Sequence, residues 1–285
     1  MAKRWYALVG LVAVGAVTLF GVQAQTNTAK IGDCELYGKR GEFKLNPVTP
    51  GVLTVQTNLP APGWWNGDTP ETIKSGYEYC LAANIAHRAG LNQVKIVNVS
   101  FDALVAGQTK AFDLALSQVT ITAERKKVVD FSPAYFSSDQ GLLVRKGTKV
   151  DASNIKTLRI GVQQGTTAVD FVKNVLKVPA NNVRVFPDTP NMFTALQARQ
   201  VDVVMLDTAI VLVQARQSNG ALEVVGQYKT GEEYGAIYPK GSANKAVLDQ
   251  IFKAMAADGT FKKLSQAYLS KEFGGDPTAI PYLKP

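Results

Sequence analysis

The chain of 285 residues contains one histidine, His87. A lone imidazole cannot build a multi-histidine metal centre, and it argues against a Ser-His-Asp triad. Two cysteines, Cys34 and Cys80, are too few for a disulfide framework or a cysteine-rich zinc cluster. Long blocks of like charge are missing too. The net charge is +8, yet the basic clusters are only Lys3-Arg4, Arg125-Lys126-Lys127 and Lys262-Lys263. Charge spread this thinly lacks the stripe of Lys and Arg that a nucleic-acid surface needs. These absences set aside a conventional hydrolase, a resident metal or other cofactor, and a nucleic-acid partner. His87 is left with a structural or surface role.

What is present describes a folded protein. An apolar content of 46% with 19% charged residues excludes disorder and collagen-like repeats. Met1-Ala2-Lys3-Arg4 is a short basic stretch, followed by an uncharged run from Trp5 to Val22 and by Val22-Gln23-Ala24. This is the pattern of a secretory signal peptide cut after Ala24. The run is also long enough to approach a membrane-spanning helix, so an uncleaved anchor is the alternative. No cysteine follows the cleavage site, which argues against a lipoprotein. In an oxidising compartment two leftover thiols most often pair. A Cys34–Cys80 bridge is therefore expected, with two unrelated buried thiols as the alternative.

After an extension over residues 25–50, strand and helix patterns alternate. Val52 to Thr57 reads as a strand. Tyr77, Cys80, Leu81 and Ile85 share one helix face, and Gly90 is placed to end that helix. Val94–Val99 and Asp113–Leu116 read as strands, with Leu142–Val144 a further short one. A second series runs through Leu158–Val162, Val183–Phe186 and Val201–Asp207, each followed by helix. Tyr234–Tyr238 reads as a last strand, with two helices after it. Two such series imply two α/β units with mainly parallel sheets. The last strand and helices have no third unit to join, so they are expected to return to the first. This gives lobe 1 at 51–136 plus 235–270, lobe 2 at 137–234, and a tail at 271–285. Two hinge crossings fall near Tyr135–Gln140 and Gly231–Tyr234, with a ligand cleft between the lobes.

Three stretches carry a family resemblance: Phe112 to Ser132, Gly161 to Thr167, and Val201 to Asp207. Together, in this order and behind a signal peptide, they resemble the exported polar amino-acid-binding proteins that feed ABC importers (solute-binding protein family 3). The resemblance covers roughly residues 50–270. It implies a type II periplasmic-binding fold of two lobes. It also implies a monomer in the periplasm that binds an amino acid, hands it to a membrane permease and catalyses nothing.

The physics of a zwitterionic ligand agrees with the residues at the matching positions. A carboxylate is best held by a guanidinium, and Arg125 resembles the family's carboxylate clamp. Ser117 and Thr120 lie upstream on the same segment. Thr166 and Thr167 start a helix after a glycine turn, where backbone N–H groups can face an anion. Asp207, at the end of a buried strand in the other lobe, resembles the ammonium acceptor. Each has a plainer reading: Thr122 as an N-cap with Arg125 on the surface, Asp207 as a helix cap, and Thr166 and Thr167 as caps. Phe101 matches an aromatic wall position. The second wall falls in the loop Leu59–Trp65, which departs from the family pattern, and either Trp64 or Trp65 fits it. Members that take cationic ligands carry an acid where this chain has Asn58. Gln118 and Gln163 stand where smaller or charged residues occur. The expected ligand is thus an amino acid with a polar, uncharged side chain. A dehydratase of cyclohexadienyl acids and a sensing or accessory binding lobe are the alternatives.

Overall fold

The computed structural model describes Met1, residues 30–274 and residues 276–285. Apart from Met1, the expected signal peptide lies outside the described residues, as does the start of the extension. The first part of the chain forms β1 (Val52–Thr57), α1 (Tyr77–Arg88), β2 (Gln93–Asn98) and α2 (Phe101–Val105). It continues with β3 (Leu114–Ala115), α3 (Arg125–Val128) and β4 (Asp130–Phe131). The middle part forms β5 (Phe136–Arg145), β6 (Ile160–Gln163), α4 (Thr167–Asp170), β7 (Val183–Phe186) and α5 (Thr189–Gln197). Then come β8 (Val203–Asp207), α6 (Thr208–Gln217) and β9 (Leu222–Tyr234). The last part forms β10 (Ile237–Tyr238), α7 (Lys245–Ala257) and α8 (Thr260–Tyr268).

These strands build two sheets of five, in the orders β2-β1-β3-β10-β4 and β7-β6-β8-β5-β9. This is the two-lobed α/β architecture of the type II fold. The sheets are mixed, which corrects the expectation of mainly parallel pairing. In the first sheet β1 runs parallel to β2 and β3, whereas β10 is antiparallel to β3 and β4. In the second, β6 is parallel to β7 and β8, whereas β5 is antiparallel to β8 and β9. The connectivity explains the mixture. The chain leaves the first sheet along β5 and comes back along β9, so the outgoing and returning strands run in opposite directions and pair. Phe136 lies opposite Tyr234 at that crossing, with rings stacked 5.5 Å apart.

Both crossing strands are longer than their sequence suggests. The short strand read at Leu142–Val144 extends back to Phe136, and β9 gave no strand signal at all. Ser137 to Gln140 and Lys229 to Glu233 are polar because they span the hinge. A strand segment that passes between lobes has no continuous apolar face to betray it, and β9 is moreover the edge of its sheet.

All twelve residues of α1 are buried, more than its single apolar face predicts. The sheet covers one side and the N-terminal extension the other. Cys34 and Cys80 form a disulfide, with Cα atoms 5.3 Å apart. Asn84 accepts the Tyr37 N–H at 2.7 Å and donates to the Glu35 carbonyl at 3.0 Å. His87 Nε2 lies 3.1 Å from the Gly38 carbonyl oxygen, a structural role. Leu248, Ile251, Phe252 and Met255 of α7 and Leu264 of α8 complete the same core. The last helices thus return to the first lobe.

The tail makes a third link. Phe273 packs on the first lobe's core and Leu283 on that of the second. Buried Gln227 of β9 anchors it: its N–H donates to the Pro281 carbonyl at 2.9 Å, and its carbonyl accepts the Leu283 N–H at 2.8 Å. Its side-chain amide donates to the carbonyls of Pro277 and Ile280, each at 3.1 Å. Tyr282 donates to Asp139 of the hinge strand β5 at 2.7 Å.

Candidate ligand-binding site

A cavity of about 580 Å³ lies between the lobes. From the first lobe it is lined by Asn58, Trp64, Trp65, Phe101, Ser117, Gln118, Thr120 and Arg125. Gln163, Thr166, Thr167 and Asp207 face it from the second. Every residue that the sequence singled out for ligand contact therefore borders one space, and both tryptophans do so.

The segment after β3 delivers Arg125. Leu116 still donates to the Gln56 carbonyl at 3.0 Å, in line with the strand. Gln118 then takes a left-handed backbone, φ 49°, and turns the chain across the cleft floor. Thr120 bridges to Tyr234. The Thr122 hydroxyl accepts the Arg125 N–H at 3.1 Å, so Thr122 does cap α3. Arg125 nevertheless points inward and is 8% exposed, not a surface residue. Nη1 donates to the Thr120 carbonyl at 2.6 Å and Nη2 crosses the cleft to the Gly165 carbonyl at 2.8 Å. The guanidinium sits over the Phe101 ring, 5.6 Å from its centre. Burial pulls its pKa below the usual arginine range, against the attraction of Asp207, Glu232 and Asp170. It remains a cation at any physiological pH.

Asp207 ends β8 at the mouth of α6, but its side chain makes no capping bond. Oδ1 accepts from Gln140 Nε2 at 2.9 Å, and Oδ2 from the Tyr234 hydroxyl at 2.5 Å. Burial pushes its pKa up to about 7, and the negative charge of Glu232 adds to that rise. Glu232 is a residue that the sequence did not offer for the site. It accepts from Thr120 Oγ1 at 2.5 Å, Thr167 Oγ1 at 2.8 Å and Gln140 Nε2 at 2.9 Å. The two threonine hydroxyls thus turn toward this hinge carboxylate. Gln140 and Glu232 both lie in the stretches read as crossings, so their polarity in an interlobe strand was the available signal.

Further contacts cross the cleft beside the Thr120–Glu232 hydrogen bond. Besides Arg125 to Gly165, Gln163 Nε2 donates to Asn58 Oδ1 at 3.2 Å and Gln164 Nε2 to Asp102 Oδ2 at 3.0 Å. Asn58 also donates to the Val99 carbonyl, and its N–H to Ser117 Oγ at 3.0 Å. The Thr166 hydroxyl bonds back to the Gln163 carbonyl at 2.7 Å, bracing the turn before α4. Toward solvent the cleft continues past residues the sequence did not flag: Asn66, Asp68, Thr194, Gln197, Gln214 and Gln217. Among the described lining residues only Asp68, Arg125 and Asp207 are charged.

Behind the cavity wall lies Glu78 of α1, wholly buried. Its Oε2 accepts from Trp65 Nε1 at 2.7 Å and from Gln118 Nε2. Its Oε1 accepts the Gln118 backbone N–H at 2.8 Å and the Tyr135 hydroxyl at 2.5 Å. Burial pushes its pKa up to about 7, with those four donors opposing the rise. As a letter in the chain it carries no sign of this role, because a Glu in a first helical turn reads as an ordinary dipole partner.

Residues 55–271 match the bacterial extracellular solute-binding proteins, family 3. The chain belongs to this family. Its relatives in family 3 include the L-cystine-binding protein TcyJ of Escherichia coli K12, 31% identical over 276 residues, spanning 94% of this chain and 99% of the relative. The glutamine-binding protein of Geobacillus stearothermophilus is 31% identical over 263 residues, spanning 85% of this chain and 94% of the relative. A solved structure of an ancestral arginine-binding protein bound to arginine superimposes with a TM-score of 0.69 at 31% identity. It covers 77% of this chain and 99% of that one. This family 3 chain is accordingly an amino-acid solute-binding protein by kinship.

Proposed function

We propose that the protein captures an amino acid with a polar, uncharged side chain in the periplasm and delivers it as a monomer to the permease of an ABC importer. The observation that carries this reading is the charge pattern of the cavity. One buried guanidinium, Arg125, faces it from the first lobe and one buried carboxylate, Asp207, from the second. A zwitterion gripped by both favours the closed arrangement, because only closure brings the two charges to the same ligand. The remaining inner wall is aromatic and amide in character, from Phe101, Trp64, Trp65, Asn58, Gln118 and Gln163. Neutral amides exchange hydrogen bonds with a polar side chain and offer a cation no counter-charge.

The length of the cleft favours a second reading of the ligand. The amides of Gln197, Gln214 and Gln217 continue the polar wall toward solvent. An extended, two-ended amino acid such as the one that names the E. coli relative has partners along that path. Calorimetry and thermal shift with L-glutamine, L-cystine, L-lysine and L-arginine separate the readings. Tight binding of glutamine or cystine supports the proposal and chooses between its forms. Tight binding of lysine or arginine alone overturns the neutral preference. Turnover of prephenate or arogenate would replace the receptor reading with the dehydratase one.

A further inference from the structure

Glu78 is a buried carboxylate on which four neutral donors converge, two on each oxygen, and it joins no salt bridge among the described residues. An anion without a cation partner is costly to bury. Two features offset that cost here. Glu78 sits in the first turn of α1, where the helix dipole favours negative charge. Both oxygens are fully engaged. The N–H groups of that first turn are spent elsewhere, Tyr77 donating to the Gly63 carbonyl at 2.9 Å and Glu78 to the Trp64 carbonyl at 3.0 Å, so the carboxylate depends on its four donors.

The four donors come from three separate elements around the cavity. Trp65 lies in the loop forming one wall. Gln118 is the left-handed residue of the floor, held through both its backbone and its side chain. Tyr135 leads into the hinge strand β5. Non-glycine residues with positive φ persist only where their surroundings hold them. Gly76 lets the arrangement close, because a Cβ there would collide with the Trp64 carbonyl.

The geometry points to Glu78 as a positioning residue of the ligand cavity, one carboxylate that bonds the Trp65 wall, the Gln118 floor and the Tyr135 entry to the hinge at once and holds them in register before a ligand arrives. This rests on the cavity being the ligand site. Glu78 does not line the cavity; it acts through Trp65 and Gln118. Preorganisation of this kind raises affinity by sparing the ligand the cost of ordering its own site.

The test compares the disulfide-bonded wild type with Glu78→Gln and Tyr135→Phe at pH 8, above the raised Glu78 pKa, using L-glutamine and L-cystine as probes and ¹⁵N-indole NMR of the ligand-free protein. Glu78→Gln keeps the shape but places an amide N–H against donors. Its expected signature is an upfield shift of the Trp65 indole proton and a loss of affinity of tenfold or more. Tyr135→Phe removes one donor and leaves Trp65 and Gln118 held. It should lower the melting temperature comparably while changing affinity less than threefold. Affinity losses that simply follow the melting temperature in both variants would overturn the positioning role. So would an unmoved Trp65 indole in Glu78→Gln. Should that variant fail to fold, hydrogen exchange on the wild type decides: the Trp65 indole and Gln118 amide protons must be slow to exchange without ligand, and rapid exchange sinks the idea. A wild type that binds no amino acid overturns the receptor reading and the positioning role with it. The indole shift would still report the Glu78 contact in that case.

Discussion

At the scale of single residues, the site is a problem of placing opposite charges in a dry space. Arg125→Ala should abolish the ligand-induced rise in melting temperature while leaving cooperative unfolding intact. Losing one partner of a buried charge pair costs about 2–5 kcal/mol, or roughly 30-fold to several thousand-fold in affinity. Calorimetry against the wild type reads this directly. On the proposed reading, Asp207 should make binding depend on pH. Its folded pKa is about 7 against an ordinary 3.8, so its contribution to stability is fully present below about pH 4. That contribution is lost as pH rises through 7. Ligand binding should move the other way, because an ammonium group needs the ionised carboxylate. The unliganded melting temperature is therefore expected to fall between pH 5 and 8, while the ligand-induced shift grows. Glu78 contributes to stability in the same direction, from 4.5 to about 7. Asp207→Asn should flatten the growth of the ligand-induced shift and retain the part of the stability trend due to Glu78.

At the scale of elements, the parts that hold the lobes are those the pattern of apolar residues showed least. The Cys34–Cys80 disulfide ties the extension to α1 across 46 residues of chain. Replacing both cysteines with serine should cost about 2–5 kcal/mol in denaturant unfolding. The loss belongs to the first lobe. The tail acts on the second. Ending the chain after Phe273 would strip Gln227 of its partners among Pro277, Ile280, Pro281 and Leu283, on an edge strand. A destabilisation of about 1–3 kcal/mol is expected, tempered by water reaching the freed groups. Proteolysis within β9 should accelerate in the truncated chain.

At the scale of the whole molecule, closure requires backbone to approach backbone. Gly165 has φ +79°, and a Cβ there would lie 3.0 Å from the Cα of Asp102 in the opposite lobe. Gly165→Val should strain the turn and wedge the cleft open. Small-angle scattering with saturating ligand should then show a radius of gyration above that of the liganded wild type, with affinity reduced tenfold or more. Unchanged compaction would mean that the lobes close elsewhere. Much of this layout was legible in the chain. The two alternating series located the paired lobes, and Arg125, Asp207, Phe101 and the threonines all border the cavity. Mixed pairing was not legible, since antiparallel order follows from one strand leaving and another returning. Nor were Gln140, Glu232 and Glu78, whose polarity reads as surface until their neighbours are known.

Local rules were enough wherever a residue's role depends on its near neighbours in sequence. Buried strands declare themselves by apolar runs, helix ends by glycine and hydroxyl caps, and the family segments by motif. Tertiary structure alone decided which polar side chains lose their water. Glu78, Asp207 and Glu232 look alike as letters. They differ because desolvation and donor geometry are set by elements up to 112 residues apart, as in the contact of Thr120 with Glu232.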